Sequence, residues 1–446
     1  MSKASRLLIR SAYVAALGGF LFGFDTAVIS GAEKSIQEFW NLSGFWHGFT
    51  VAIALVGTVI GALTAGKPAD RFGRRNALLA VGALYLISAL GSALSNLWIP
   101  FMIYRFIGGL GVGASSVIGP MYIAEIAPPE RRGKLVAMFQ FNVVTGILVA
   151  YISNYIISLL AQTDAWRWMF GVEAIPAVLF FGFLFGVPAT PRWLILKGKS
   201  DKARDILKLF DISNIEKQVK VIEDSIYAER HVQSPSLFTK QLRVPVMLAI
   251  LVAFFNQFSG INAIMYYAPR IFEVAGVARE SALLQSVSIG LTNMIFTLIA
   301  INIIDRVGRK KLLLIGAAGL TVTLLMVTLD FLLAAEPGSV VLIGLIGFIA
   351  FFALSQGTVI WVYISEIFPN RVRAKGQTLG SFTHWAGAAI VSWIFPMFAE
   401  IGNTTSTGYA FLLFTVIMVI QFIVVYKFFP ETKGKSLEQI QDDFGL

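Results

Sequence analysis

The chain has 446 residues, of which 56% are hydrophobic and only 14% are charged. Its mean hydropathy of +0.73 is too high for a water-soluble globular protein and indicates a chain that lies mostly in a lipid bilayer. The sequence contains no cysteine, which excludes disulfides and thiolate metal sites. The net charge of +10 does not predict a nucleic-acid partner, because the basic residues are spread over short loops between apolar segments.

Twelve apolar segments are each long enough to cross a bilayer, which takes about 20 residues. In chain order they cover about 11–31, 48–66, 77–95, 98–124, 136–160, 168–187, 245–269, 282–304, 312–334, 339–364, 377–398 and 408–429. The first segment differs from a signal peptide because it carries Asp25 in its middle and lacks a small-residue cleavage site. The sequence therefore predicts an all-α membrane protein with twelve transmembrane helices.

Basic residues indicate the orientation of these helices. They follow every second segment, for example at Arg71, Arg132, Arg306 and Arg373, and few lie in the other loops. Because loops rich in lysine and arginine stay in the cytoplasm, we expect both termini on the cytoplasmic side of a plasma or bacterial inner membrane. The long polar stretch 188–243 falls on the same side and contains charged, helix-prone runs.

The loops of the two halves repeat one another in order. The segment YIAEIAP at 122–128 recurs as YISEIFP at 363–369, DRFGRR at 70–75 recurs as DRVGRK at 305–310, and PATP at 188–191 recurs as PETK at 430–433. Two such halves with a substrate site between them near the midplane are typical of a rocking transporter. The predicted organisation is a six-helix half at 1–187, a linker at 188–243 and a second six-helix half with a short tail at 244–446.

Several motifs resemble the sugar porter family of the major facilitator superfamily, which includes the bacterial xylose/proton symporter and the glucose facilitators. They are GKPADRFGRR at 66–75, Arg105 with Gly108 and Gly109, Glu125 with Arg132, PATPRW at 188–193, QFSGIN at 257–262, Trp361 with Glu366, and PETK at 430–433. The resemblance covers essentially the whole chain. It implies secondary active transport of a neutral monosaccharide by alternating access, by a chain that works as a monomer without a cofactor, a metal or nucleic acid.

The same resemblance implies which residues bind the sugar. Amide and imidazole groups suit its hydroxyls, and aromatic rings suit its apolar face. The candidates are Gln140, Asn256, Gln257, Asn262, Tyr266, Trp361, His384 and Trp385. Residues four apart share a helix face, so the spacing of Asn262 and Tyr266 supports part of this set independently. The alternative is that the amides join helices to one another, and that Trp361 and His384 fill the core.

Two departures bear on which sugar is carried. Ile147 stands where the xylose symporter has glutamine, as in the glucose facilitators, and Thr358 replaces a proline. The resemblance therefore favours a hexose over a pentose.

Charged residues in the cytoplasmic motifs are predicted to form a gate. They are Asp70, Arg71, Arg74, Glu125, Arg132, Asp305, Arg306, Arg309, Glu366, Arg373 and Glu431. Cations and carboxylates at neighbouring helix ends can pair across the two halves and with helix termini, which would stabilise the state that is closed to the cytoplasm. The alternative is that the arginines only fix topology. The family's glutamate after the sixth helix is Ala189 here, whereas Glu431 is kept. One interaction of the gate is therefore expected to be missing from the first half.

Three ionisable residues inside predicted spans suggest proton coupling. Asp25, Arg105 and Glu173 are each costly in a membrane, so we expect them to pair. By resemblance, proton-coupled members of the family carry acids at the two carboxylate positions, which favours proton symport. The alternatives are a structural salt bridge in a facilitated uniporter, or a sugar sensor that does not transport. An enzyme is excluded because the only three histidines are far apart in the sequence and no metal or nucleophile motif is present.

Overall fold

The computed structural model describes residues 3–128, 131–161, 163–210, 214–231, 236–334, 337–369, 371–400, 404–435 and 439–440. All the regular structure in these ranges is helical. The first helices are α1 Lys3–Phe39, α2 Gly44–Thr64, α3 Gly66–Phe72, α4 Arg74–Leu94, α5 Trp98–Ile126, α6 Arg132–Leu160, α7 Ala165–Gly171, α8 Ala174–Phe183, α9 Pro191–Leu196, α10 Ser200–Leu209 and α11 Ile215–His231. The remaining helices are α12 Arg243–Phe258, α13 Ile261–Val274, α14 Arg279–Val307, α15 Arg309–Leu333, α16 Ser339–Leu354, α17 Gln356–Ile367, α18 Arg373–Glu400 and α19 Thr404–Phe428.

Eleven helical stretches within the described residues are long and apolar enough to span a membrane. The twelfth predicted segment, 377–398, forms α18, which has 28 residues but is not among the eleven. Polar side chains such as Gln377 and His384 dilute its apolar sequence.

Breaks interrupt three predicted spans that the sequence presents as continuous. One of them, 168–187, divides into α7 and α8 at 172–173. The span 245–269 divides into α12 and α13 at Gly260, whose φ of 91° is left-handed and favours glycine. A Cβ added there would lie 2.5 Å from the ring of Phe414, so the close packing also requires glycine. The span 339–364 divides into α16 and α17 at Ser355, which has φ −120° and ψ −88°. Hydropathy averaged over the roughly 20 residues of a span does not detect such breaks, because the rest of each span is apolar.

Proximity of the Cα atoms groups the chain into two compact units. The first unit contains Met1–Asp25, Gly57–Ile147 and Phe170–Ser234, and the second contains Thr26–Val56, Leu148–Met169 and Pro235–Leu446. Unit boundaries fall inside α1, α2, α6 and α7, whereas the sequence repeat divides the chain only at the linker. The predicted division into two six-helix halves follows the sequence repeat and not the proximity of Cα atoms. It therefore stays a prediction.

The linker forms its own small core within the first unit. Helices α9, α10 and α11 pack through buried side chains, among them Leu194, Leu207 and Val219. On the polar side, Arg204 of α10 forms an ion pair with Glu216 of α11, with an Nε to Oε1 distance of 2.9 Å. The charged runs of the linker therefore form amphipathic surface helices.

Glycines allow close approach of α2 and α5 in the first unit. A Cβ on Gly57 would lie 2.3 Å from the carbonyl oxygen of Phe106, and one on Gly113 would lie 2.1 Å from that of Thr58. The glycine-rich run 108–113 lies inside α5, where it serves helix packing.

Candidate transport site

A buried ion pair joins α1 and α5 in the first unit. Nη1 of Arg105 donates to Oδ1 of Asp25 at 2.5 Å, and the two side chains are 3% and 2% exposed. The guanidinium also lies over the ring of Phe170, 5.1 Å from its centroid. Gly108 makes room for the pair, because a Cβ there would lie 3.3 Å from Oδ1 of Asp25 and 2.3 Å from Oγ of Ser88. The predicted pairing of Asp25 with Arg105 is present.

The third predicted proton-coupling residue is next to this pair but is not hydrogen-bonded to it. Glu173 lies between α7 and α8 and is fully buried, and Asp25 and Arg105 both act on it electrostatically. Neither carboxyl oxygen has a hydrogen-bond partner within the described residues. An isolated buried charge is expensive, so one arginine beside two carboxyl groups leaves a place for a proton.

An amide cluster occupies the second unit at the end of α12, where the helix breaks. Nε2 of Gln257 donates to Oδ1 of Asn256 at 2.9 Å, and Oε1 of Gln257 accepts from Nδ2 of Asn262 at 2.8 Å. Nδ2 of Asn256 in turn donates to the backbone oxygen of Gln356, the first residue of α17, at 3.1 Å. The break in α12–α13 thus meets the break in α16–α17, the arrangement in which transporters commonly place their substrate.

Aromatic rings lie beside the amides in the same unit. Nε2 of Gln257 is 3.1 and 3.2 Å from the two ring nitrogens of His384 on α18. The His384 ring is 4.9 Å from that of Trp361 and 4.8 Å from that of Trp385. Trp361 is 38% exposed, which is unusual for an indole on a helix that otherwise lies in the core. The site therefore combines amides, an imidazole and an accessible aromatic face, as a sugar requires.

The remaining sugar candidates are less closely connected. Tyr266 is 4% exposed and lies one turn after Asn262 on α13. Gln140 is half-buried on α6 and belongs to the first unit. Thr358 lies just after the α16–α17 break, where its backbone nitrogen donates to the oxygen of Ser355 at 3.2 Å. A proline at this position has no N–H to make that hydrogen bond.

The gate residues of the first repeat form a compact ion-pair group. Arg74 pairs with Glu125, Nε to Oε1 2.9 Å, and with Asp70, Nη1 to Oδ1 2.9 Å. The other oxygen of Glu125 accepts from Oγ1 of Thr190 at 2.5 Å. The hydroxyl of Tyr122 donates to the backbone oxygen of the proline at 188, at 2.8 Å. These contacts tie α4 and α5 to the segment that begins the linker.

The second repeat reproduces this group residue by residue. Arg309 binds Glu366 with two hydrogen bonds, of 3.1 Å from Nε and 2.8 Å from Nη2, and pairs with Asp305 at 2.9 Å. Oγ1 of Thr432 donates to Glu366 at 2.6 Å, and the hydroxyl of Tyr363 donates to the oxygen of Pro430 at 3.4 Å. Each set of pairs forms within its own unit, whereas the sequence predicted pairs across the two halves.

Glu431 accounts for the difference between the repeats. Its Oε1 accepts from the backbone nitrogens of Arg309, Thr432 and Lys433, at 2.9, 3.0 and 3.1 Å. Through the nitrogen of Arg309 it caps the N-terminus of α15. Ala189 at the equivalent position of the first repeat has no side-chain acceptor. The Ala189 departure removes this cap from the first repeat, while the arginine–glutamate pair remains there.

The other predicted gate residues lie outside these pairs. Arg71 lies over the ring of Phe72 at 5.2 Å, and Arg132 and Arg306 are exposed. Two guanidinium nitrogens of Arg373 are buried without a partner in the described part of the chain.

The sequence interpretation gave no role to four residues whose hydroxyl groups form hydrogen bonds beside the predicted gate residues. These are Tyr122, Thr190, Tyr363 and Thr432. Their recurrence at equivalent positions of the repeat was a signal that could have identified them.

Residues 11–444 match the family model for sugar (and other) transporters. The chain belongs to this family. It is 38% identical to the D-xylose-proton symporter of Escherichia coli K12, over 96% of this chain and 94% of the relative. It is 37% identical to the arabinose-proton symporter of Bacillus subtilis, over 96% and 93%. It is 36% identical to a glucose transporter of Staphylococcus epidermidis, over 98% and 97%.

Solved structures of the Escherichia coli xylose transporter have the same fold. The partially occluded inward-open form gives a TM-score of 0.85 at 37% identity, over 97% of this chain and all of that one. The form bound to 6-bromo-6-deoxy-D-glucose gives 0.79 at 37% identity, over 99% of each chain. The predicted major facilitator fold is confirmed. The sugar porter is therefore a multi-pass membrane transporter and not an enzyme.

Proposed function

We propose that this chain imports a neutral monosaccharide together with a proton by alternating access. Relatives of similar identity are named for xylose, arabinose and glucose, and two of the three are named as proton symporters. The preference for a hexose, which rests on Ile147 and Thr358, stays a prediction, because two of these three relatives are named for the pentoses xylose and arabinose and only one for the hexose glucose. The substrate class is a five- or six-carbon monosaccharide.

Proton coupling rests on the buried arrangement of Asp25, Arg105 and Glu173. One arginine cannot neutralise two carboxylates, so the group carries one proton more or less in different states of the cycle. In the cycle that we propose, a proton from outside neutralises Asp25, and Arg105 turns toward Glu173. The halves then rock, and Asp25 releases the proton to the cytoplasm. A membrane potential of 100 mV supplies about 2.3 kcal/mol per charge, enough for roughly 40- to 50-fold accumulation of a neutral sugar.

Sugar binding rests on the amide cluster of the second unit. Gln257 uses both its amide groups on Asn256, Asn262 and His384. A sugar hydroxyl must therefore replace one of these hydrogen bonds, because the Gln257 amide has no unpaired group to offer it. Such exchange limits the cost of desolvating the site, because its polar groups remain paired when the sugar leaves. Trp361 supplies the aromatic face, and Tyr266 and Trp385 complete the proposed contacts of this unit. A sugar contact of Gln140 in the first unit stays a prediction.

His384 binds in its neutral form under this proposal. A nitrogen of its ring accepts from the amide of Gln257, and the other ring nitrogen donates. A group that both accepts and donates suits a sugar hydroxyl, which does the same.

Uptake into proteoliposomes tests the function. The parent protein should accumulate a radiolabelled sugar against its gradient when the lumen is made alkaline, and an uncoupler should abolish that accumulation. Asp25→Asn should lose uphill uptake but retain exchange of sugar at equal concentrations on both sides. The exposed variant Asp201→Asn is the matched control and should behave as the parent does. A panel of xylose, arabinose, glucose and galactose decides the substrate.

The alternatives predict different results. Uptake by the parent that ignores both the pH gradient and the uncoupler would move the assignment to a facilitated uniporter. Sugar binding without exchange would indicate a sensor.

A further inference from the structure

A second buried cluster of charged side chains lies away from the sugar amides and from Asp25. We call Glu33, Gln37, His47 and Arg270 the Glu33 cluster. Oε1 of Glu33 accepts from Nε of Arg270 at 2.9 Å, and Oε2 lies 2.8 Å from Nη2 of Arg270. Oε2 also lies 2.7 Å from Nε2 of His47. Nη2 of Arg270 donates to Oε1 of Gln37 at 2.6 Å.

The Glu33 cluster is almost completely shielded from water. The side chains of Glu33, His47 and Arg270 are 1%, 0% and 12% exposed. The carboxylate of Glu33 receives donors from two other helices, so it holds α1, α2 and α13 together. Nδ1 of His47 is buried without a partner in the described residues, which leaves Nε2 as the nitrogen that bonds Glu33.

Further contacts fasten the same ends of α1 and α2. The ring nitrogen of Trp393 on α18 donates to the oxygen of Phe45 at 3.1 Å, and a Cβ on Gly48 would lie 2.0 Å from the oxygen of Trp393. Lys34 pairs with Glu273 of α13, at a more exposed position. The ends of two helices from the first repeat are thus joined to two helices of the second repeat, within one compact unit.

Helix α13 carries residues of both the Glu33 cluster and the sugar site. Asn262 and Tyr266 are spaced four residues apart and share a helix face, and Arg270 follows Tyr266 after four more residues. Between them the backbone departs from helical geometry at Tyr267, with φ −117° and ψ 17°. The hydroxyl of Tyr267 donates to the oxygen of Ser392 at 2.9 Å, and its ring is 6.1 Å from that of His47. Helix α13 therefore carries Arg270 on one side of the kink and the sugar candidates Asn262 and Tyr266 on the other.

We propose that Glu33, His47 and Arg270 are positioning residues of the transport cycle. They hold α13 against α1 and α2 while the outer side is closed, and they separate when that side opens to admit sugar. This inference rests on the alternating access of the proposed function, in which the outer side is closed in one state and open in the other. Removing one partner from a buried ion pair strands the other, so single substitutions act strongly on the closed state.

Cysteine labelling from the outside tests the proposal, because the chain has no cysteine of its own. Ala32→Cys places the reporter beside Glu33 at a residue that is 0% exposed. Adding Glu33→Gln should increase the labelling rate by a membrane-impermeant maleimide about ten- to hundredfold. Adding Lys34→Gln instead should change the rate less than about threefold, because an exposed pair contributes little. Equal rates in the Glu33→Gln and parent backgrounds would overturn the proposal.

Two histidine variants separate positioning from a general loss of folding. His47→Gln retains an amide N–H near the place of Nε2 and should label at close to the parent rate. His47→Asn cannot reach Glu33 and should label faster, by about tenfold. A faster rate in both variants, or in neither, would contradict the role of the Nε2 hydrogen bond.

A double-mutant cycle identifies the pair directly. Glu33→Gln combined with Arg270→Gln should label no faster than the quicker single variant, because the two residues act as one unit. If the effects of the two substitutions on the labelling rate were additive, Glu33 and Arg270 would not act as one pair in holding the outer side closed. Labelling needs neither sugar nor a proton gradient, so failure here is distinguishable from failure of the proposed symport.

Discussion

Arg105 on α5 donates to Asp25 on α1 at 2.5 Å, while both carboxyl oxygens of nearby Glu173 have no hydrogen-bond partner in the described residues. The arrangement is asymmetric, because only Asp25, one of the two buried acids, forms a hydrogen-bonded ion pair with Arg105. A purely structural salt bridge needs only the first acid. The second acid is what makes the group suitable for a proton that is bound in one state and released in another.

Glu173→Gln is therefore expected to separate coupling from binding. The variant removes the alternative partner of Arg105, so accumulation driven by a proton gradient should fall at least about tenfold. The half-saturation constant for sugar exchange should change less than about threefold, since Glu173 is not in the amide cluster. Both values come from uptake and exchange in proteoliposomes. Undiminished accumulation would show that Asp25 and Arg105 are sufficient for proton coupling without Glu173.

Gln257→Ala is expected to raise the half-saturation constant of sugar by about one to two orders of magnitude. The substitution leaves Asn262 and Asn256 with unpaired groups and removes a partner of the ligand, effects worth about 1 to 3 kcal/mol. The control is Asn154→Ala, another buried amide of the same unit, which bonds the oxygen of Val28. It should lower thermal stability but leave the half-saturation constant within about twofold. A similar loss of affinity in both variants would contradict the assignment of the sugar site.

Gly260→Ala tests the break between α12 and α13. The added methyl group meets the Phe414 ring at 2.5 Å and also requires a left-handed backbone, so we expect a loss of about 2 to 4 kcal/mol in stability. Gly198→Ala is the matched control, because its φ is 71° but nothing lies within 4 Å of the added Cβ. It should cost about 1 kcal/mol. Thermal unfolding in detergent measures both, and equal shifts would show that packing against Phe414 is unimportant.

The cytoplasmic gate is expected to depend on Arg74 and Arg309 more than on Arg71 and Arg306. The first two bind Glu125 and Glu366, whereas Arg71 and Arg306 are exposed. Neutralising Arg309 should slow net transport several-fold and raise labelling of a cysteine placed on the cytoplasmic end of α17. Neutralising Arg306 should shift the same labelling less. A larger effect from Arg306 would restore the gating role that the motif alone suggests for it.

The cap on α15 gives a prediction about stability. Glu431→Ala removes the acceptor of three backbone N–H groups and should cost about 0.5 to 2 kcal/mol. Lys433→Ala, at an exposed position, should cost less than about 0.5 kcal/mol. The difference in thermal unfolding midpoints between the two variants is the measurement. Equal midpoints would show that the cap contributes nothing.

The sequence by itself determined the bilayer as the solvent, the number and order of the spans, and the repeat. Those features are local in the chain, because a run of about 20 apolar residues or a recurring motif is visible without any contact. The repeat also identified Arg74 with Arg309 and Glu125 with Glu366 as equivalent positions. Resemblance to a family then indicated which amides and carboxylates to examine.

Tertiary structure alone decided which side chains meet. Gly260 and Ser355 break helices that hydropathy presents as continuous, and those breaks bring Asn256 to the backbone of Gln356. The Glu33 cluster was not predicted at all, because Glu33 and Arg270 are separated by 237 residues and no motif links them. A buried charge is tolerated only where its partners converge, and that convergence depends on how distant helices pack, which composition and periodicity do not encode.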